Sequence, residues 1–298
     1  MHILVTGGTG FIGQPLVELL LARGENLTLL CRNFNKAKAM FGDRVNLVGS
    51  LTNIALEADA VINLAGEPIV DKRWSDQRKQ VLKDSRIGVT SELIEWIKQS
   101  ANKPTILISG SAIGYYGNYP EDKQVTEINK PRSCFASELC QEWEATALEA
   151  ESLGVRVCLV RTGIVLAAHG GALKRMLLPF KMGLGGRIGN GEQWFSWIHL
   201  QDMLSLLLFL LDNDRIRGAV NATAAHPVTN DVFSKQLASA LNRPALLPMP
   251  EFMAKLLFGE ASELLLEGQK VVPKKLLDHG FKFEYAQVST ALRAICSD

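Results

Sequence analysis

Four glycines, Gly7, Gly8, Gly10 and Gly13, separate an apolar run, His2–Thr6, from a stretch, Phe11–Arg23, whose Ile12, Leu16, Leu19 and Leu20 recur at helical spacing. A buried strand, a glycine turn and a helix in that order form the context a dinucleotide-binding turn requires. Glycine permits the tight turn and leaves room for a pyrophosphate beside the helix N-terminus, where free N–H groups and the helix dipole favour negative charge. Gly7, Gly10, Phe11, Ile12 and Gly13 are therefore the candidates to hold a cofactor, although a ligand-free strand–helix turn would use the same glycines. The second expected strand, Leu27–Cys31, ends at Arg32. An acidic residue there would bond the ribose hydroxyls of NAD, whereas an Arg suits the 2′-phosphate of NADP, with Lys36 one turn further on. The expected cofactor is NADP(H).

These residues need a scaffold, and the apolar pattern supplies one. Val45–Val48 and Ala60–Leu64 read as strands and Asp76–Ser100 as a helix with Leu93, Ile94 and Ile97 on one side. Strand Thr105–Ser109, helix Ala136–Ser152 and strand Arg156–Arg161 follow. Such alternation predicts an α/β fold, a Rossmann-type doubly wound parallel sheet covered on both faces. Loops at its carboxyl edge would bring Leu64, Ala65, Gly66, Glu67, Ser109 and Gly110 to the cofactor crevice. After Gly163 the alternation breaks into a loop-rich, glycine-rich insertion ending in WFSWIHLQD. A helix near 201–211 and a strand near Val220 return to the sheet, and the remainder reads as a smaller, mostly helical lobe punctuated by Pro244, Pro248, Pro250 and Pro273. The expected division is a dinucleotide-binding domain, 1–165 with a returning segment near 198–223, and a substrate lobe, 166–197 and 224–298.

Composition narrows the function class. The 298 residues are 47% hydrophobic and 21% charged, with a formal net charge of +1, so no long-range field favours nucleic acid or an anionic membrane. The longest apolar run, Met203–Leu211, is too short to span a bilayer. Five cysteines show neither a CxxC motif nor metal-ligand spacing with the histidines, which points to reduced thiols in the cytoplasm and to no metal site.

Longer motifs carry a family resemblance. TGGTGFIG at 6–13, DAVINLAG at 59–66, ISGSAIGYYG at 108–117 and GNGEQWFSWIHLQD at 189–202 resemble extended short-chain dehydrogenase/reductases of the nucleotide-sugar epimerase type. LAGEPIVDKRW at 64–74, GYYG at 114–117 and RTGIVL at 161–166 narrow the resemblance, which covers essentially the whole chain, to the atypical YfcH-like epimerase family. It implies an NADP(H)-dependent oxidoreductase or epimerase-like protein acting on a small molecule, with a nucleotide sugar or a carbonyl compound as substrate class. Dimers are common in such proteins, so the resemblance also implies a homodimer.

In ordinary members a Tyr acts as acid/base, a Lys four residues later assists it, and a Ser positions the reacting oxygen. Ser111 matches that serine. The Tyr and Lys have no counterpart: aligning Ser137 on the helix motif puts Cys134 and Glu138 in their places, and neighbouring registers offer only Phe135 or Ala136 with Leu139 or Cys140. Tyr119 and Lys123 have the right spacing but surround Pro120 in what reads as a turn. Tyr116 or Tyr115, in the loop after Ser111, is the candidate replacement acid, with a stacked aromatic wall as the alternative use. Arg73, Trp74, Arg161 and Trp194 are candidate substrate contacts. A non-catalytic NADP(H)-binding sensor or scaffold is the competing function.

Overall fold

The computed structural model describes residues 1–52, 54, 56–119 and 122–297. The first half runs β1 (His2–Thr6), α1 (Gly13–Ala22), β2 (Asn26–Leu30), α2 (Phe34–Phe41), β3 (Asn46–Val48), β4 (Ala60–Asn63), α3 (Asp76–Lys83), α4 (Val89–Gln99), β5 (Ile106–Ala112), β6 (Gln124–Val125) and α5 (Phe135–Leu148). The second runs β7 (Arg156–Thr162), β8 (Ile164–Leu166), α6 (Gly171–Lys181), β9 (Trp194–Phe195), β10 (Trp197–His199), α7 (Leu200–Asp212), β11 (Gly218–Ala222) and β12 (Val228–Thr229). It continues through α8 (Asn230–Ala240), α9 (Glu251–Phe258), α10 (Glu263–Leu266), β13 (Lys270–Val271), α11 (Lys274–Asp278) and α12 (Val288–Ser297).

Seven parallel strands form one sheet in the order β11-β7-β5-β4-β1-β2-β3. Successive residues of each central strand are buried on opposite faces, which is why the strands are apolar without alternation. Ile3, Val5, Ile62, Ile108 and Val160 share one core with α1 and α7. Leu4, Val61, Leu107 and Leu159 share the other with Leu93 and Ile97 of α4 and Ala147 of α5. Strand order reverses beside β1, and a crevice opens at the carboxyl end of such a reversal.

Two elements depart from the sequence reading. The helix expected over 76–100 is divided by a π turn, Asp84–Gly88, and its first part is capped by the Ser75 hydroxyl, which accepts from the Arg78 N–H. A wider turn of this kind shifts the buried face between the two parts. The segment expected as loop contains α6, whose Leu173, Leu177 and Phe180 are buried despite the internal Pro179. The surrounding glycines hid that amphipathic spacing. Gly170 and Gly171 pack against the Phe11 ring, and a Cβ on Gly170 would lie 2.2 Å from it. The helical C-terminal lobe has its own core, in which Trp197, Phe233 and Leu292 are fully buried.

Candidate functional site

Register at the carboxyl edge builds two buried polar rows where the apolar rows of the sheet end. Thr6, Asn63 and Ser109 are neighbours across β1, β4 and β5. Thr6 Oγ1 donates to Asn63 Oδ1 at 2.6 Å and accepts the Ala65 N–H at 3.1 Å. Asn63 Nδ2 donates to Thr90 Oγ1 at 2.8 Å, and the Trp143 indole N–H donates to the same oxygen at 3.0 Å. Each side chain of this row therefore has a partner, which avoids the penalty of an unpaired one.

Ser111, Arg161 and Asn221 form the second row across β5, β7 and β11. Helix α5 closes it with Glu144, whose carboxylate accepts from Ser111 Oγ at 2.6 Å and from Arg161 Nε and Nη2 at 2.8 Å each. Burial works against the Arg161 charge, but bonding to Glu144 and the carboxylate's charge outweigh it and raise the pKa. Arg161 Nη1 also donates to the Tyr116 hydroxyl at 3.0 Å, and that hydroxyl donates to Asn221 Oδ1 at 2.6 Å. Tyr116 is fully buried, and burial pushes its phenol up to about 12 against the opposing effect of Arg161.

The placement changes how several candidate residues are read. Tyr116 faces the interior, because its hydroxyl closes the row between two strands. Ser111 is buried, with its hydroxyl directed at Glu144. Tyr115 is half-buried, its ring 3.4 Å from the Arg161 guanidinium and edge-on to Tyr116, and among the described residues no group bonds its hydroxyl. Arg161 is 4% exposed and engaged by Glu144, and the Tyr115 ring lies against its guanidinium. Trp74 packs on Phe135 and donates its indole N–H to Ile69 O at 2.9 Å, a wall residue set by its large apolar ring. Arg73 is exposed and donates to Leu257 O at 3.3 Å, tying the loop after β4 to α9. Trp194 is half-buried beneath Lys270, whose ammonium lies 4.3 Å from its ring. Cys134 occupies the residue before α5 without a side-chain capping bond, and burial raises its thiol pKa; Glu138 is exposed and accepts from Ser133 Oγ at 2.8 Å. Tyr119 donates to Lys130 O at 2.6 Å, while Pro120 and Glu121 lie outside the described residues.

The sequence reading had no role for Glu144 or Asn221. Glu144 had a signal: a carboxylate one turn from Cys140 and one turn from Ala147, on the buried stripe of an amphipathic helix. Asn221 had none, since only strand pairing brings it to Arg161.

The glycine turn fits a dinucleotide diphosphate. Gly7 has φ +68° and a Cβ there would lie 2.4 Å from Leu64 O, while one on Gly13 would lie 2.2 Å from Gly7 O. Only glycine lets the turn pack this closely onto the end of β4 and onto itself. The backbone from Leu64 to Glu67 runs beside it, and among the described residues nothing accepts the N–H of Phe11 or Ile12. Ser109 turns its hydroxyl toward Asn63 at 3.3 Å, inside the sheet edge, and Gly110 follows it. At the far rim Arg32 is 88% exposed at the side chain, and Lys36 Nζ donates to Thr9 O at 2.9 Å. Such residues would hold a pyrophosphate and a 2′-phosphate.

Comparison with known proteins agrees with this geometry. The chain is 42% identical to the chloroplastic epimerase family protein SDR39U1 homolog of Arabidopsis thaliana over 99% of this chain and 86% of that one. It is 36% identical to the epimerase family protein YfhF of Bacillus subtilis over 100% of this chain and 99% of that one. A crystal structure of human epimerase family protein SDR39U1 (isoform 2) with NADPH is similar with a TM-score of 0.91 at 33% identity, covering 100% of both chains. A UDP-galactose 4-epimerase structure, 18% identical with a TM-score of 0.77 over 100% of this chain and 98% of that one, shares the fold. Residues 249–295 match a domain of unknown function (DUF1731). Since residues 3–222 match the NAD dependent epimerase/dehydratase family, this chain belongs to that family.

Proposed function

We propose that the protein is an NADP(H)-dependent oxidoreductase or epimerase-like enzyme acting on a small molecule with a hydroxyl or carbonyl group at the reacting carbon. The observation that carries the cofactor assignment is the exposed Arg32 guanidinium just past β2, the strand that pairs with β1 ahead of the glycine turn. The human relative described with NADPH, similar along its whole length, supports it. When bound, the cofactor supplies or accepts hydride. This chain must then orient the substrate and move one proton. Tyr115 is the proposed donor: its hydroxyl has no partner among the described residues, and the Arg161–Glu144 pair holds its ring from one side. The five free thiols fit a reducing compartment such as the cytoplasm.

A second reading, NADP(H) binding without turnover, draws on Ser111, whose hydroxyl is occupied by Glu144. One experiment separates the two. NADPH oxidation is followed across a panel of carbonyl compounds for the wild type and Tyr115→Phe. An enzyme using Tyr115 loses about 10²–10⁴-fold in kcat in the variant while its NADPH Kd is unchanged. Tight NADPH binding in the wild type, with neither NADPH oxidation across the panel nor epimerisation of nucleotide sugars incubated with NADP, favours the second reading.

A further inference from the structure

We propose that Glu67 is a cofactor discriminator: its carboxylate holds the Arg32 guanidinium in the free protein and competes for it with a 2′-phosphate. The proposal rests on the NADP(H) reading above and concerns how strongly that cofactor is preferred over NAD(H).

Arg32 follows β2 and Glu67 follows β4, and these two strands flank β1. Their side chains meet beyond the end of β1, with Arg32 Nη2 at 2.9 Å from Glu67 Oε1. Arg78, only 10% exposed at its side chain, places Nη1 3.8 Å from the other carboxylate oxygen. Bonding to Arg32 holds the Glu67 carboxyl below the usual carboxylate range, and the charges of Arg32, Arg78 and Arg86 act in the same direction against partial burial. The group is an anion at neutral pH.

The Glu67 main chain is fixed from both sides by the π turn between α3 and α4. Its N–H donates to Ser85 Oγ at 3.0 Å, and its carbonyl accepts from Arg86 Nη2 at 2.8 Å. The side chain alone is left to move. Glu67 therefore presents a carboxylate at the rim where the fold usually reads the adenosine ribose, although Arg32, just past β2, is a cation.

The two dinucleotides meet this pair differently. A 2′-phosphate carries more charge than a carboxylate and competes for Arg32 through charge-assisted bonds. It shares or displaces the single Arg32 Nη2 bond to Glu67 and in either case sits near a like charge. The uncharged ribose of NAD(H) leaves the pair intact. Glu67 thus taxes NADP(H) selectively, and the exposure of Arg32 keeps the tax modest.

The test is calorimetric titration of the intact wild-type protein and Glu67→Gln at low salt with four probes: NADPH, NADH, adenosine 2′,5′-bisphosphate and 5′-AMP. The variant is expected to bind NADPH and the bisphosphate about three- to tenfold more tightly, with NADH and 5′-AMP changed by less than about twofold. Glu67→Ala, with its fold checked by circular dichroism, should move in the same direction. Unchanged or weaker NADPH binding in the folded variants overturns the proposal, as does equal tightening of NADPH and NADH. A wild type that binds neither dinucleotide brings down the cofactor reading itself, a result distinct from either of these.

Discussion

Glu144 shows how one side chain sets the character of a site. It carries a charge onto the buried face of α5 and is 5% exposed, a position stable only because Arg161 and Ser111 meet it there. Replacing a buried pair by apolar groups can be neutral, but removing one partner strands the other charge. Glu144→Ala is therefore expected to destabilise the protein by about 3–5 kcal/mol, measured by urea unfolding. A loss under about 1 kcal/mol would mean that water already reaches Arg161. The paired tyrosines divide along the same line. Tyr116, with its phenol pushed up to about 12, stays protonated over the working range, so a pH–rate break near neutrality would arise elsewhere.

At the scale of elements, α7 begins on an unusual cap. His199 Nδ1 accepts the Gln201 N–H at 3.1 Å, and the imidazole packs against Tyr285 with ring centroids 3.9 Å apart and planes tilted by 33°. Only an unprotonated Nδ1 can accept that bond. Burial holds the His199 pKa below its ordinary 6.5, against the opposing charge of Glu284. Because protonation favours the unfolded chain, the stability this residue contributes is complete above about pH 6.5 and is lost as pH falls through the lowered folded value. His199→Asn keeps a cap acceptor without a titrating ring. The melting temperature of the variant should fall less between pH 7 and pH 5 than that of the wild type; identical slopes would remove His199 from the account.

Across the whole molecule, the C-terminal lobe is stitched to the sheet on the side where Tyr115 stands. Gln269 Nε2 donates to Ile113 O at 2.9 Å, Asn221 Nδ2 donates to Val272 O at 3.0 Å, and β13 pairs with β6. The second polar row thus depends on contacts from both parts of the chain. Leu292, fully buried in the lobe core, is a probe of this union. Leu292→Ala should cost about 2–5 kcal/mol by cavity formation. Circular dichroism and tryptophan fluorescence should shift together in that variant; a lobe that melts on its own would separate the two signals.

Local spacing in the chain was enough to determine the glycine turn, the strand–helix alternation, the position of Arg32 and the lack of a Tyr–Lys pair on α5. Each is carried by residues within about one element of one another, the range over which backbone periodicity constrains neighbours. Helix α6 escaped because flanking glycines and Pro179 obscured a pattern that burial of Leu173, Leu177 and Phe180 reveals. Tertiary structure alone decided what the chemical groups do. Ser111 meets Glu144 across 33 positions, and Arg32 meets Glu67 across 35. Those meetings follow from the order and register of parallel strands, which long crossover connections set and no local window contains.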